Sequence, residues 1–134
     1  MIERLLILAL VGAGAWLAYH AVCCWQTRRA THAAARDPLL DTLRPGVPAI
    51  VYFTSPTCAP CRTQQRPAIQ RLLDELNDRV QVIEVNALNQ PYAARRWGVL
   101  SIPTTFVLDG GGTLRQINHG VTGADELKQQ LRGL

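Results

Sequence analysis

The chain has 134 residues and a formal net charge of +4, from 14 Lys and Arg set against 10 Asp and Glu. That length holds one compact domain with a short appendage. Lys128 is the sole lysine and the arginines are dispersed rather than clustered with aromatic residues, so the basic balance gives nucleic-acid binding little support.

The first element in chain order is an apolar run. From Leu5 to Trp25 there is no formally charged side chain, and Leu, Ala, Val, Ile and Gly dominate. About 20 such residues cross a bilayer as a helix. Trp16, Tyr19 and Trp25 fall late in the run, where amphipathic rings meet a membrane–water boundary. Residues 1–26 are therefore expected to form a single-pass membrane anchor. A cleaved secretory signal is the rival reading, with Arg4 in the n-region and Ala13-Gly14-Ala15 or Ala33-Ala34-Ala35 as the small-residue site. The run is longer than the usual h-region of about 7–15 residues, and Ala13-Gly14-Ala15 falls inside it, which favours the anchor. A buried soluble helix would carry a polar face, and none interrupts the run. Glu3 and Arg4 cancel before the span, whereas Arg28, Arg29 and Arg36 follow it with only Asp37 in opposition. The positive-inside rule then places the rest of the chain in the cytoplasm. Cys23 and Cys24, next to the membrane, read as small apolar fillers in preference to lipidation sites.

Residues 27–46 read as a juxtamembrane linker. A polar, Ala-rich segment with paired arginines leads to a short helix over Leu39 to Leu43, opened by Asp37-Pro38 and stopped by Pro45-Gly46. The globular domain is expected over 47–134. Ala49 to Phe53 is almost wholly apolar and suits a strand buried on both faces. Beyond Cys58-Ala59-Pro60-Cys61, the residues Ile69, Leu72, Leu73 and Leu76 recur at helical spacing through Asn77, with Pro67 interrupting and kinking the helix. Val80 to Val85 is a second strand, parallel to the first by the βαβ rule. Pro91 to Trp97 forms a short helix ended by Gly98. Thr104 to Leu108 and Thr113 to Asn118 flank Asp109-Gly110-Gly111-Gly112 as a hairpin. Ala124 to Leu131 closes the chain as an amphipathic helix, and the order is βαβαββα.

The pair Cys58 and Cys61 carries the chemistry. Two thiols at this spacing, where a strand ends and a helix begins, point to a reversible dithiol/disulfide couple. The strand holds the first sulfur at an exposed edge and the helix turns the second back against it. Unpaired N–H groups and roughly half a positive charge at the helix N-terminus favour thiolate at Cys58. Thiolate is the reacting species. A lone C-x-x-C is also half a zinc site, but a structural zinc needs about four ligands. Cys23 and Cys24 adjoin each other, and His20, His32 and His119 are scattered without pair spacing, so no metal site is expected.

This order, with Cys-Ala-Pro-Cys at the first strand–helix junction and Ser101-Ile102-Pro103-Thr104 before the third strand, resembles the thioredoxin family. The likeness covers about Val47 to Leu134, and Gly120 before the last helix is its third feature. It implies a thioredoxin-like α/β fold, with a central mixed sheet flanked by helices, behind one N-terminal transmembrane helix. It also implies a cis peptide at Pro103 lying against the dithiol, which leaves the Ile102 backbone free to pair with an extended substrate segment; Gly120 belongs to the same substrate-binding groove. Without the resemblance, Pro103 reads equally as a trans proline opening an edge strand. The implied activity is that of a thiol–disulfide oxidoreductase working through a mixed disulfide, with Cys58 attacking and Cys61 resolving. No cofactor is needed beyond the two sulfurs. The expected partners are proteins bearing thiols or disulfides and a redox partner protein, met by a membrane-tethered monomer. The alternative is a non-enzymatic binding module that uses the groove and keeps a static disulfide. Tethered members of the family usually face outward, against the charge rule, so both sides of the membrane stay open.

Three departures from the family pattern bear on the site. Soluble thioredoxins place a buried Asp on the first strand and a Trp just before the first Cys, where this chain has Tyr52 and Thr57. Glu84 stands on the second strand where the family commonly carries Lys. It is expected to take over as a buried acid, its pKa raised by desolvation so that it accepts the Cys61 proton; the alternative is an exposed strand residue. Arg62 and Arg66, at i and i+4 on the dithiol helix, read either as positive potential beside Cys58 or as a solvated face. Trp97 reads as groove wall or core.

Overall fold

The computed structural model describes residues 1–34 and 37–134. Helix α1 runs from Ile2 to Ala34, past the expected end of the anchor, because neither Pro nor Gly interrupts the chain there. Its part from Ile2 to Gln26 is apolar enough to cross a membrane, and none of that span is buried against the rest of the protein. Ala35 and Arg36 lie outside the described residues, and with them part of the second cleavage site and one of the three flanking arginines.

The domain is built on strands β1 (Ala49–Thr54), β2 (Gln81–Asn86), β3 (Thr104–Leu108) and β4 (Leu114–His119). They form one sheet in the order β2-β1-β3-β4. β1 runs parallel to β2 and antiparallel to β3, and β3 pairs antiparallel with β4. Between β1 and β2 the chain makes a π-helical turn, Cys61–Gln65, and continues as helix α2 (Arg66–Leu76). Helix α3 (Pro91–Arg96) joins β2 to β3, and helix α4 (Ala124–Leu131) follows β4. The expected βαβαββα order and the mixed sheet are both present.

All six residues of β1 are buried. Their alternation divides the core in two. Ala49, Val51 and Phe53 pack with Ala93, Trp97 and Phe106 on the α3 side, while Ile50 and Tyr52 pack with Ile69, Leu72, Leu127 and Leu131 of α2 and α4 on the other. Trp97 is thereby a core residue, on the face of the sheet opposite the cluster that holds the cysteines. Its ring centroid lies 4.9 Å from that of Phe106 and 6.0 Å from that of Phe53.

Pro67 has no N–H to give and its ring crowds the carbonyl four residues back. The chain widens just before it, and the Arg66 N–H reaches the Cys61 carbonyl five residues back. At the hairpin, Asp109 Oδ1 accepts from the N–H groups of Gly111 and Thr113, each at 3.0 Å. Gly110 is required there because a Cβ would stand 2.9 Å from the Gly46 backbone, whose N–H donates to the Gly110 carbonyl.

Asp37 ties the segment after α1 to the domain. It caps a 3-10 turn, Pro38–Thr42, by accepting from the Leu39 N–H at 3.0 Å. The same buried carboxylate accepts from Arg96 Nε at 2.8 Å and from the Trp97 indole N–H at 2.9 Å. Leu39, Leu40 and Leu43 then pack against the α3-side core. Burial alone would raise the Asp37 pKa, but the bonds from Arg96, the Leu39 N–H and Trp97 outweigh it and hold the carboxyl below its ordinary range.

Removing a buried, fully bonded carboxylate strands the donors of three residues, so Asp37→Ala is expected to lower the unfolding free energy of the purified full-length chain by about 3 kcal/mol at pH 7. The folded pKa is depressed, so the stabilisation is complete above the unfolded carboxylate value of about 3.9 and is lost as pH falls through the lower folded value. Urea unfolding of wild type and Asp37→Asn across that range checks this, because the gap between them should narrow in acid.

Candidate functional site

β1 ends at Thr54, at the edge of the sheet, and the chain turns at once into the dithiol. The Cys58 N–H donates to the Ser55 carbonyl at 3.2 Å, and the Cys58 carbonyl accepts from the Arg62 N–H at 3.3 Å, which opens the helix. Cys58 therefore stands where a helix cap stands. Its Sγ accepts from the Cys61 N–H at 3.3 Å, the bond a capping side chain makes to the third helical residue. Cys58 and Cys61 are joined as a disulfide with Sγ–Sγ 2.09 Å and Cα–Cα 5.3 Å. Cys58 is 9% exposed and Cys61 is 0% exposed, so Cys58 is the half of the couple that solvent reaches.

Ile102, Pro103 and Gly120, the positions named from the sequence, are linked to one another, and Ile102 reaches the cluster that holds both cysteines. The Ile102–Pro103 peptide is cis. Ile102 packs against the cluster that holds both cysteines, and Pro103 is buried. Gly120, at φ +85°, donates its N–H to the Pro103 carbonyl at 2.9 Å. That positive φ is open to glycine at no steric cost, and it turns the chain from β4 toward α4 across the proline.

Beneath the dithiol lies Tyr52, in the place where a buried acid was sought. Its hydroxyl stands 3.1 Å from Thr54 Oγ1 and 3.3 Å from the Cys61 carbonyl oxygen. Burial raises its pKa and the nearby Glu84 charge adds to this, against the opposing bond to Thr54 and the charge of Arg66. The group below Cys61 is a neutral phenol.

The expectation of a buried Glu84 is overturned. β2 is an edge strand in which Val85 is the buried residue. The Glu84 side chain is 49% exposed and its Oε1 accepts from Arg66 at 2.8 Å. The desolvation on which the proton-acceptor reading rested is absent, and the Arg66 charge is engaged by Glu84. Arg62 lies on the exposed face of the helix. Cys23 and Cys24 belong to α1, outside this arrangement.

One buried polar residue of the dithiol helix was not singled out by the sequence. Gln65 is fully buried, and its amide bonds both backbone groups of Thr122, two residues past Gly120. The signal was present: Cys61, Gln65 and Ile69 follow one another at i, i+4 on the buried line of the helix.

Geometry and topology together define an α/β redox-type domain: a parallel βαβ unit with a disulfide-bonded cysteine pair at its helix start and a cis proline just before β3. A family model described as Thioredoxin matches residues 39–133, and the chain belongs to the thioredoxin family. It is 32% identical over 71 residues to thioredoxin 1 of Synechococcus elongatus, a match covering 53% of this chain and 65% of that protein. Thioredoxin 1 of a Nostoc species is 31% identical over 81 residues, covering 60% of this chain and 72% of the other. The chain thus spans just under two thirds of the length of the first relative. Among solved structures, thioredoxin-2 of the malaria parasite superposes with a TM-score of 0.61 at 19% identity, over 66% of this chain and 84% of that one.

Glu84→Gln breaks a half-exposed ion pair, so it should change stability by less than about 1 kcal/mol. Alkylation of Cys61 in the reduced protein, followed against pH, should be the same in this variant as in wild type. A displaced profile would return Glu84 to the site.

Proposed function

We propose that the chain is a membrane-tethered thiol–disulfide oxidoreductase acting on protein clients. The observation that carries this reading is the disulfide between Cys58 at a helix cap, 9% exposed, and a wholly buried Cys61, in a cluster against which Ile102 of the cis Ile102–Pro103 peptide packs. Proteins of the thioredoxin family work through such a couple.

In the reduced chain, Cys58 Sγ keeps the Cys61 N–H and the positive end of the helix beside it, which favours thiolate. That thiolate attacks one sulfur of a client disulfide. A Cys58–client bond forms, the client S–S bond breaks, and the released client sulfur leaves as thiolate to take a proton from solvent. Cys61, deprotonated in turn, attacks Cys58 Sγ; the mixed disulfide breaks, the second client thiol departs, and Cys58–Cys61 is restored. Two electrons have passed to the client, and a redox partner protein must return them. Run backwards, the same steps oxidise a client dithiol. The Ile102 backbone, with Pro103 and Gly120 beside it, receives the client as an extended segment. The apolar span Ile2–Gln26 tethers the domain, with Arg28 and Arg29 just beyond it.

The reduced full-length protein in detergent should turn over insulin disulfides. Cys58→Ser should abolish turnover, and Cys61→Ser should accumulate a mixed disulfide visible on non-reducing gels. Absence of turnover, with client binding retained when both cysteines are replaced, would leave the binding module as the better reading. Alkaline carbonate extraction tests the tether: full-length chain is expected in the membrane pellet, and a shortened soluble chain would make the segment a cleaved signal. A C-terminal reporter in the same cells reads the side of the membrane.

A further inference from the structure

We propose that Gln65 is a positioning residue which holds the loop carrying Gly120 against the dithiol helix, and so sets affinity for protein clients rather than the rate of sulfur exchange. The inference rests on the oxidoreductase reading above and deepens it. Gln65 is 0% exposed, and a buried amide requires partners for both its ends. Both partners lie 57 positions along the chain: Nε2 donates to the Thr122 carbonyl at 3.0 Å, and Oε1 accepts from the Thr122 N–H at 2.8 Å. A side chain here makes the pair of bonds that a neighbouring strand would make.

The loop needs such a brace. It lies between β4, which ends at His119, and α4, which begins at Ala124, so neither a ladder nor a helix holds it. Its other tie to the site is the Gly120 N–H on the Pro103 carbonyl. A continuous path of bonds therefore runs from the turn containing Cys61, through Gln65 and Thr122, to Gly120 and the cis proline. The sulfurs themselves are held separately, by β1, by the Cys58 N–H on Ser55, and by the Cys61 N–H on Cys58 Sγ. Without Gln65 the Thr122 N–H and carbonyl lose their partners and the loop relaxes toward water. A client that lies across the loop must then order it on binding, which weakens affinity. A small disulfide that meets only the sulfur does not.

The test compares wild type, Gln65→Leu and Gln65→Glu as full-length proteins on two substrates: insulin at steady state, with dithiothreitol as the electron source, and 5,5′-dithiobis(2-nitrobenzoic acid) in a single turnover of the pre-reduced protein. Leu keeps the bulk and loses both bonds. Glu keeps an acceptor for the Thr122 N–H but sets an oxygen against the Thr122 carbonyl, and it serves as the test where the Leu variant does not fold. Gln65→Leu is expected to raise KM for insulin about tenfold, with kcat within about twofold and the rate on the small disulfide within about twofold. Gln65→Glu, which faces the Thr122 carbonyl with an acceptor in a buried site, should raise the insulin KM at least as far. Equal losses on both substrates, a fall confined to kcat, or an unchanged KM in an active protein would overturn this inference alone. A wild type inert toward both disulfides would overturn the oxidoreductase reading and this inference with it.

Discussion

β1 is buried along its whole length and on both faces, and the rest of the domain is arranged by that demand. A strand so placed must have helices above and below it. α2 and α4 cover the Ile50 and Tyr52 face, while α3 and the 3-10 turn after Asp37 cover the Val51 and Phe53 face. The chain leaves the sheet at Thr54 and must turn at once into α2, which puts Cys58 at the cap. The dithiol is thus a consequence of where a central strand ends. Cys58 keeps some exposure because the turn lies at the end of the strand, and Cys61 is wholly buried because the helix leads back over the core.

Three buried polar groups of the domain sit at junctions, and each is bonded. Asp37 joins the segment after α1 to α3 through Arg96 and Trp97. Tyr52 joins β1 to the widened turn through the Cys61 carbonyl. Gln65 joins that turn to the loop before α4. Burial of a polar atom is costly unless it is satisfied, so three such residues at three crossings specify relative placement as well as stability. The widened turn connects two of them. With Pro67 unable to donate, the Cys61 carbonyl takes the Arg66 N–H and the Tyr52 hydroxyl together.

Membership of the thioredoxin family extends over residues 39–133, and the part that departs most is what precedes it. α1 continues unbroken to Ala34, and Asp37 begins the contacts of the domain almost immediately afterwards. Within the family region the departures fall directly under the sulfurs. A neutral phenol occupies the first-strand position, and the nearest second-strand carboxylate faces outward, paired with Arg66. The interior below Cys61 therefore carries no carboxylate from either of these two positions.

Elements whose character is local were legible without coordinates. The apolar run of β1, the helical spacing of α2 and α4, the Gly-rich hairpin and the cap-forming cysteine pair depend on periodicity and on neighbouring residues alone, and each was read within a residue or two of its place. The cis state of Pro103 was legible only by resemblance. What depends on the third dimension was not readable from the pattern. Glu84 and Tyr52 face each other in register, yet one is open to solvent and the other sealed, because β2 lies at the sheet edge and β1 at its centre. Strand order is a property of the whole sheet, and no stretch of sequence contains it. Likewise Gln65 needed Thr122, and Asp37 needed Arg96 and Trp97, each partner more than fifty positions away. Local pattern decides which residues turn inward; only the packed chain decides what they meet there, because those partners are brought near by the other elements.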